Sequence, residues 1–113
     1  MDHEYVIVLT TVGLDVNAGA IASSLVDDRL AACVNVLPEM DSYFRWRGAV
    51  EQAQERQLVI KTTAAQLTAL EARLGEIHPF ELPEFLVITA RQASEAYGRW
   101  IGDSTGGATE LTE

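Results

Sequence analysis

One cysteine, Cys33, stands in 113 residues. Its isolation excludes an intrachain disulfide and any CxxC metal or redox site. Positive charge is also scarce. Lys61 is the only lysine, eight Lys and Arg face 17 Asp and Glu, and the formal net charge is −9. Phosphate attraction needs a basic face, so neither nucleic acid nor an anionic membrane is expected as a partner. Cations and basic partners are admitted, although acidity alone also keeps a small protein in solution. No apolar run approaches the roughly 20 residues that span a bilayer. The start MDHEY carries two acids and no basic n-region, so a secretory signal is not expected and the compartment expected is the cytoplasm. No phosphate-cradling glycine loop is present. No nucleophile stands at a recognisable spacing from a base, so no enzyme is expected.

What is present is a regular succession of elements. YVIVLTTV, residues 5–12, is nearly continuous in apolar and β-branched residues and reads as a strand buried on both faces. Asp15 or Asn17 offers an N-cap for a helix whose apolar face is Ala18, Ile21, Ala22, Leu25 and Val26. ACVNVL, residues 32–37, reads as strand. Pro38 interrupts it, which requires an edge or bulge, and MDSYFRWRG resumes it. Arg47-Gly48 turns the chain, and ERQLVIKTT, residues 55–63, returns. The resulting hairpin, over about residues 31–63, is longer than so small a domain needs to cover its own core. Thr63 and Gln66 fit a capping box. Leu67, Leu70, Leu74 and Ile77 follow as an amphipathic helix. FLVITA, residues 85–90, is a further apolar strand. Ser94 caps a last helix carrying Ala96, Tyr97, Trp100 and Ile101 at helical spacing.

The order β-α-β-β-α-β plus a C-terminal helix predicts an α+β, ferredoxin-like fold: one antiparallel sheet with two helices on one face. One domain is expected over residues 1–103, and residues 104–113, polar and Gly-rich, are expected to be a disordered tail. The strands offer few charges on either side, so the second sheet face needs a cover. Further copies of the chain are the natural one.

Two of the three prolines fall in IHPFELPEF, residues 77–85. As a joint, Pro79 disfavours helical geometry at His78 and stops the helix, and Pro83 steers Leu82 into an extended path. As a metal site, a His78 nitrogen with a Glu84 or Glu81 oxygen suits copper or zinc, provided a further ligand is supplied. Cys33, among small and apolar neighbours, reads as a buried structural thiol, and His3 as a solvated residue of the N-terminal fringe. Tyr43, Phe44, Arg45, Trp46 and Arg47 form either a stacking site or, by composition, an intersubunit surface.

DDRLAACVNVLP, SYFRWRG, LVIKTT, IHPFELPE and AYGRWI occur in this order along the chain. Together they resemble the divalent-ion tolerance family, CutA, over nearly the whole chain except the tail. The resemblance implies a ferredoxin-like homotrimer whose extended hairpin reaches past its own subunit. It also implies a non-enzymatic role in divalent metal, notably copper, tolerance and response, with weak cation binding at or near intersubunit clefts. No obligatory cofactor is implied; Cu2+ or another divalent cation is the ligand, and an unidentified protein partner is admitted. The family resembles the PII signalling proteins in fold and trimeric build. That gives the alternative, a sensor module binding a small metabolite or a partner protein in the same cleft. A scaffold role is a further reading. His78 is the metal-site residue that carries over most directly. This chain has Thr10 where some relatives carry a cysteine, and Ile77 where some carry a second histidine. A copper site here would therefore be harder in ligand type.

Overall fold

The computed structural model of the chain describes residues 3–77 and 82–106. The β-branched opening run forms β1 (Tyr5–Gly13), followed by α1 (Ala18–Asp27). The interrupted strand is observed as β2 (Cys33–Val36) and β3 (Met40–Trp46), both paired with the 15-residue β4 (Ala49–Thr63). A 3-10 turn (Ala64–Gln66) leads into α2 (Leu67–Ile77); β5 (Leu86–Thr89) and α3 (Glu95–Ser104) complete the order. The fold is mixed α+β with an antiparallel sheet. Its strands run β2-β4-β1-β5, with β3 extending the sheet along β4.

The break at Pro38 lies where it was expected. The returning strand begins at Ala49, six residues before the expected start, because the polar stretch AVEQAQ pairs with β3 all the way to the turn. That turn is Arg47-Gly48, with φ of 50° and 86°. Positive φ at both central residues is the geometry that matches the twist of a two-residue hairpin. The protruding hairpin contributes to principal extents of 52 × 26 × 23 Å.

Side chains alternate across each strand. On one face Val6, Val8 and Val12 of β1 join Leu58 and Ile60 of β4 under Ile21 and Leu25 of α1 and Leu70 and Leu74 of α2. Each such side chain contributes about 1.5–3 kcal/mol when fully buried. On the opposite face Ile7 and Leu9 stand beside Val59, Ile88 and Leu86 in register, and none of these is buried. In the single chain β1 is therefore enclosed along one face, while on the other Thr11 alone is buried. The chain's own cover for the second face is α3, which reaches only one end of it: a β-carbon added at Gly98 would lie 2.8 Å from the Tyr5 ring, and one at Gly102 2.7 Å from His3.

Local signals were honoured unevenly. Asn17 caps α1 by accepting from Ala20 N–H at 3.0 Å, and Ser94 caps α3 by accepting from Tyr97 N–H at 3.2 Å. The capping box expected at Thr63 does not form. The Thr63 side chain is buried and makes no cap bond, and the turn it precedes is 3-10 before it becomes α. In α3 the buried residues are Gly98 and Ile101, while Tyr97 and Trp100 remain exposed, because the Tyr5 ring packs where glycine leaves room.

The end of α3 is held by Arg29. Its guanidinium donates to the carbonyls of Asp103 at 2.6 Å and Gly106 at 2.9 Å, and Gly106 N–H returns a bond to Arg29 O. A cation on the last carbonyls of a helix satisfies orphan acceptors and complements its dipole. Thr105 beside it is buried. Residues 104–106 thus belong to the docked helix end; the rest of the expected tail, 107–113, lies outside the described residues.

Candidate functional site

Glu84 enters the structure two residues before β5, after Pro83. Its Oε2 accepts from the Gln57 side-chain amide at 2.8 Å, and the same amide nitrogen donates to the Thr10 carbonyl at 2.8 Å. Gln57 lies on β4 opposite Thr11. Both amide hydrogens are thereby committed, and the carboxylate is fixed to the sheet while its second oxygen keeps acceptor capacity.

Beside this carboxylate opens a cleft of ≈ 640 Å³ between the base of the hairpin and residues 82–86; Glu55, Tyr43, Phe44 and Phe85 are among its walls. A second cleft of ≈ 660 Å³ carries the depression toward the hairpin tip. It shares Phe44, Glu55 and Leu82 with the first and adds Trp46 and Glu51. Strand alternation explains the lining. Glu51, Ala53, Glu55 and Gln57 project from one face of β4, and their register neighbours Phe44, Ser42 and Met40 project from the same face of β3. The face is a continuation of the second face of the sheet. At the tip, the Arg47 guanidinium stacks over Trp46, 5.1 Å from the ring centroid.

Of the three expected metal ligands, Glu84 is in the cleft wall; His78 and Glu81 lie outside the described residues. Among the described residues no three His, Cys, Asp or Glu side chains gather closely enough to hold a metal ion. Thr10 contributes its carbonyl, while its hydroxyl points into the helix-covered core, fully buried and without a hydrogen-bond partner. Ile77 packs against the core at the end of α2. Cys33 is half-buried and not fully enclosed, since it lies on the second sheet face opposite Lys61. Its thiol is 4.0 Å from Asn35 Oδ1, four residues of β4 away from the rung that carries Gln57. His3 is exposed, with its ring 6.0 Å from that of Tyr5. Gln57 and Glu55 were not foreseen. The alternation Glu51, Glu55, Gln57 along one strand was the available signal, but it required knowing that the strand begins at Ala49. No helix of the described residues is long and apolar enough to cross a membrane.

Comparison with known proteins covers most of the chain. The family model described as "CutA1 divalent ion tolerance protein" matches residues 6–104. The divalent-cation tolerance protein CutA of Thermus thermophilus is 38% identical over 100 residues, which are 88% of this chain and 97% of that relative. The CutA homolog of Xenopus laevis is 38% identical over 89 residues, or 79% of this chain and 59% of that longer relative. In three dimensions the chain is similar to the T. thermophilus divalent cation tolerance protein, with a TM-score of 0.87 at 37% identity, covering 90% of this chain and 99% of that one. CutA from Synechococcus elongatus gives a TM-score of 0.85 at 39% identity, with 93% of each chain covered. Sequence order, sheet topology and these likenesses agree that the chain belongs to the CutA1 divalent ion tolerance family.

Proposed function

We propose that the protein is a non-enzymatic, cytoplasmic homotrimer of divalent metal tolerance and response that binds copper or another divalent cation weakly at or near its intersubunit clefts. The observation that carries this reading is the second sheet face. Ile7, Leu9, Val59, Leu86 and Ile88 form a contiguous apolar surface that α3 leaves open, and the acidic, aromatic groove of the hairpin continues it. A surface of this kind calls for a partner, and closed symmetry among identical chains supplies one. The strand order supports the ferredoxin-like description. Glu84, fixed by Gln57 with one oxygen left to accept, would hold a cation together with His78 and Glu81 of the adjoining segment. Nitrogen and carboxylate donors without thiolate make this a harder site than a cysteine-containing one.

Three chains at −9 carry −27 together, and this charge attracts any cation without coordinating it. Salt separates the two effects, because diffuse attraction fades within a Debye length of about 8 Å at physiological ionic strength whereas coordination persists. Copper titration at low and high salt on the wild type, His78→Ala and Glu84→Gln is the test. Salt-resistant binding that weakens in both variants supports the site; equal affinity in all three proteins refutes it.

A second reading, a PII-like sensor that takes a small molecule in the cleft, is favoured by a different observation. The ≈ 640 Å³ cleft combines aromatic and aliphatic walls (Tyr43, Phe44, Leu82, Phe85) with polar groups (Thr11, Ser42, Glu55, Gln57, Glu84), a mixture of apolar surface and orienting groups that suits a small molecule. A thermal-shift screen of metabolites against the metal-free protein tests it.

A further inference from the structure

We infer that the cleft beside Glu84 and the groove that continues it take a linear aliphatic polyamine, anchored by Glu84 and Glu55. The inference rests on the small-molecule reading of the cleft and names the chemical class of its ligand. Three features of the walls select that class.

The first is the arrangement of negative charge. Glu84 is held in place by Gln57 at 2.8 Å. Glu55 precedes Gln57 by two positions on the same face of β4, and Glu51 precedes it by six. Strand geometry spaces Glu55 about 7 Å from the Gln57 rung and Glu51 about 14 Å beyond Glu55. The carboxylates thus succeed one another along a line. They do not converge on a point, as ligands of one metal ion must. The second feature is the neighbouring strand. Phe44 projects from β3 onto the same face, beside Trp46, whose ring is already covered by the Arg47 guanidinium. Aromatic rings attract ammonium groups through their faces and cover methylenes through their area. The third is the sign of the remaining charge. Among the described residues no Lys or Arg lines the cleft beside Glu84; Arg45 lines the outer groove, and Arg47 stacks on Trp46 at its tip end. An anionic metabolite would meet carboxylates where it needs donors. A chain of methylenes carrying ammonium groups at intervals meets an acceptor at each charge and apolar surface between them.

Calorimetric titration of the full chain with spermidine tests the assignment, at low and high salt. The variants are Glu84→Gln, Glu55→Gln and Phe44→Leu, with Asp27→Asn at an exposed position of α1 as the remote acidic control and circular dichroism as the check on folding. The expected result is one saturable site per chain, retained at high salt. Affinity should fall about tenfold or more in each Glu→Gln variant, the loss that accompanies removal of one charge-assisted hydrogen bond. It should fall less in Phe44→Leu and stay unchanged in Asp27→Asn. Equal losses in Asp27→Asn, or binding erased by salt, would reduce the effect to diffuse attraction and overturn the proposal. A neutral diol or an acidic metabolite that binds and is lost in Phe44→Leu would overturn the amine assignment and leave the small-molecule reading intact. If no small molecule binds, and spermidine enters only when an open-face variant such as Ile88→Asp prevents self-association, a second copy fills the groove and both readings fall.

Discussion

Val8 and Ile7 are neighbours on β1 with opposite surroundings. Val8 is fully buried beneath α1 and α2, whereas Ile7, one residue earlier and one face away, is only half-buried beside Ile88 and Lys61. The same contrast runs along β4, where Leu58 and Ile60 are enclosed and Val59 between them is not. Both faces are apolar, so composition does not separate them. What separates them is that two helices are long enough to cover one face, and α3 covers only an end of the other. One face completes the fold of the subunit, and the other is the surface on which the proposed association and binding rest.

That contrast can be broken or sharpened by substitution. The largest effect belongs to the enclosed face: Leu58→Ala should lower stability by about 2–5 kcal/mol in urea denaturation, whatever the state of assembly. Next is the latch that holds α3 over the second face. Arg29→Ala removes its bonds to the carbonyls of Asp103 and Gly106 and should cost about 1.5–3 kcal/mol, as hydrogen bonds to charged groups do. Arg29→Gly should cost about 1 kcal/mol less than Arg29→Ala in thermal melts, since Arg29 has φ of 62° and glycine accepts that conformation freely. Ser94→Ala, by removing the α3 cap, should cost about 1 kcal/mol. Thr10→Val is expected to act in the opposite direction, raising stability by up to about 1 kcal/mol, because it removes a buried hydroxyl without a partner. The smallest effect on the subunit should come from the open face. Ile88→Asp, at a position 48% exposed in the single chain, should change the stability of the isolated subunit by no more than about 0.5 kcal/mol while abolishing its association.

The sequence was most legible where a single residue has a local task. Asn17 and Ser94 cap their helices with short oxygens next to free N–H groups, and Pro38 interrupts its strand by lacking one. Thr63 carries the same kind of signal but is drawn into the interior, and the backbone turns through a 3-10 geometry that leaves its oxygen out of reach. The polar run AVEQAQ hid the first half of β4, because a strand in a protruding hairpin needs little burial and is fixed by its partner and its turn. Continuous apolar runs misled in another way. They mark surface that must be covered, and a single chain does not say by what: FLVITA yields a β5 exposed at all four of its residues. Arg29 left no trace, since neither a positive φ nor a contact with the end of α3, more than seventy residues later, is written in local pattern. Within the cleft, Gln57, which fixes Glu84, was not legible, because their contact crosses from β4 to the segment before β5.

The central claim is that the open face of the sheet is closed by identical chains. Light scattering on the purified protein at micromolar concentration tests it most directly. The account predicts the mass of three 12.3 kDa subunits for the wild type, reduced to that of one folded subunit in Ile88→Asp. A wild-type protein that remains a stable, folded single chain at that concentration would contradict it.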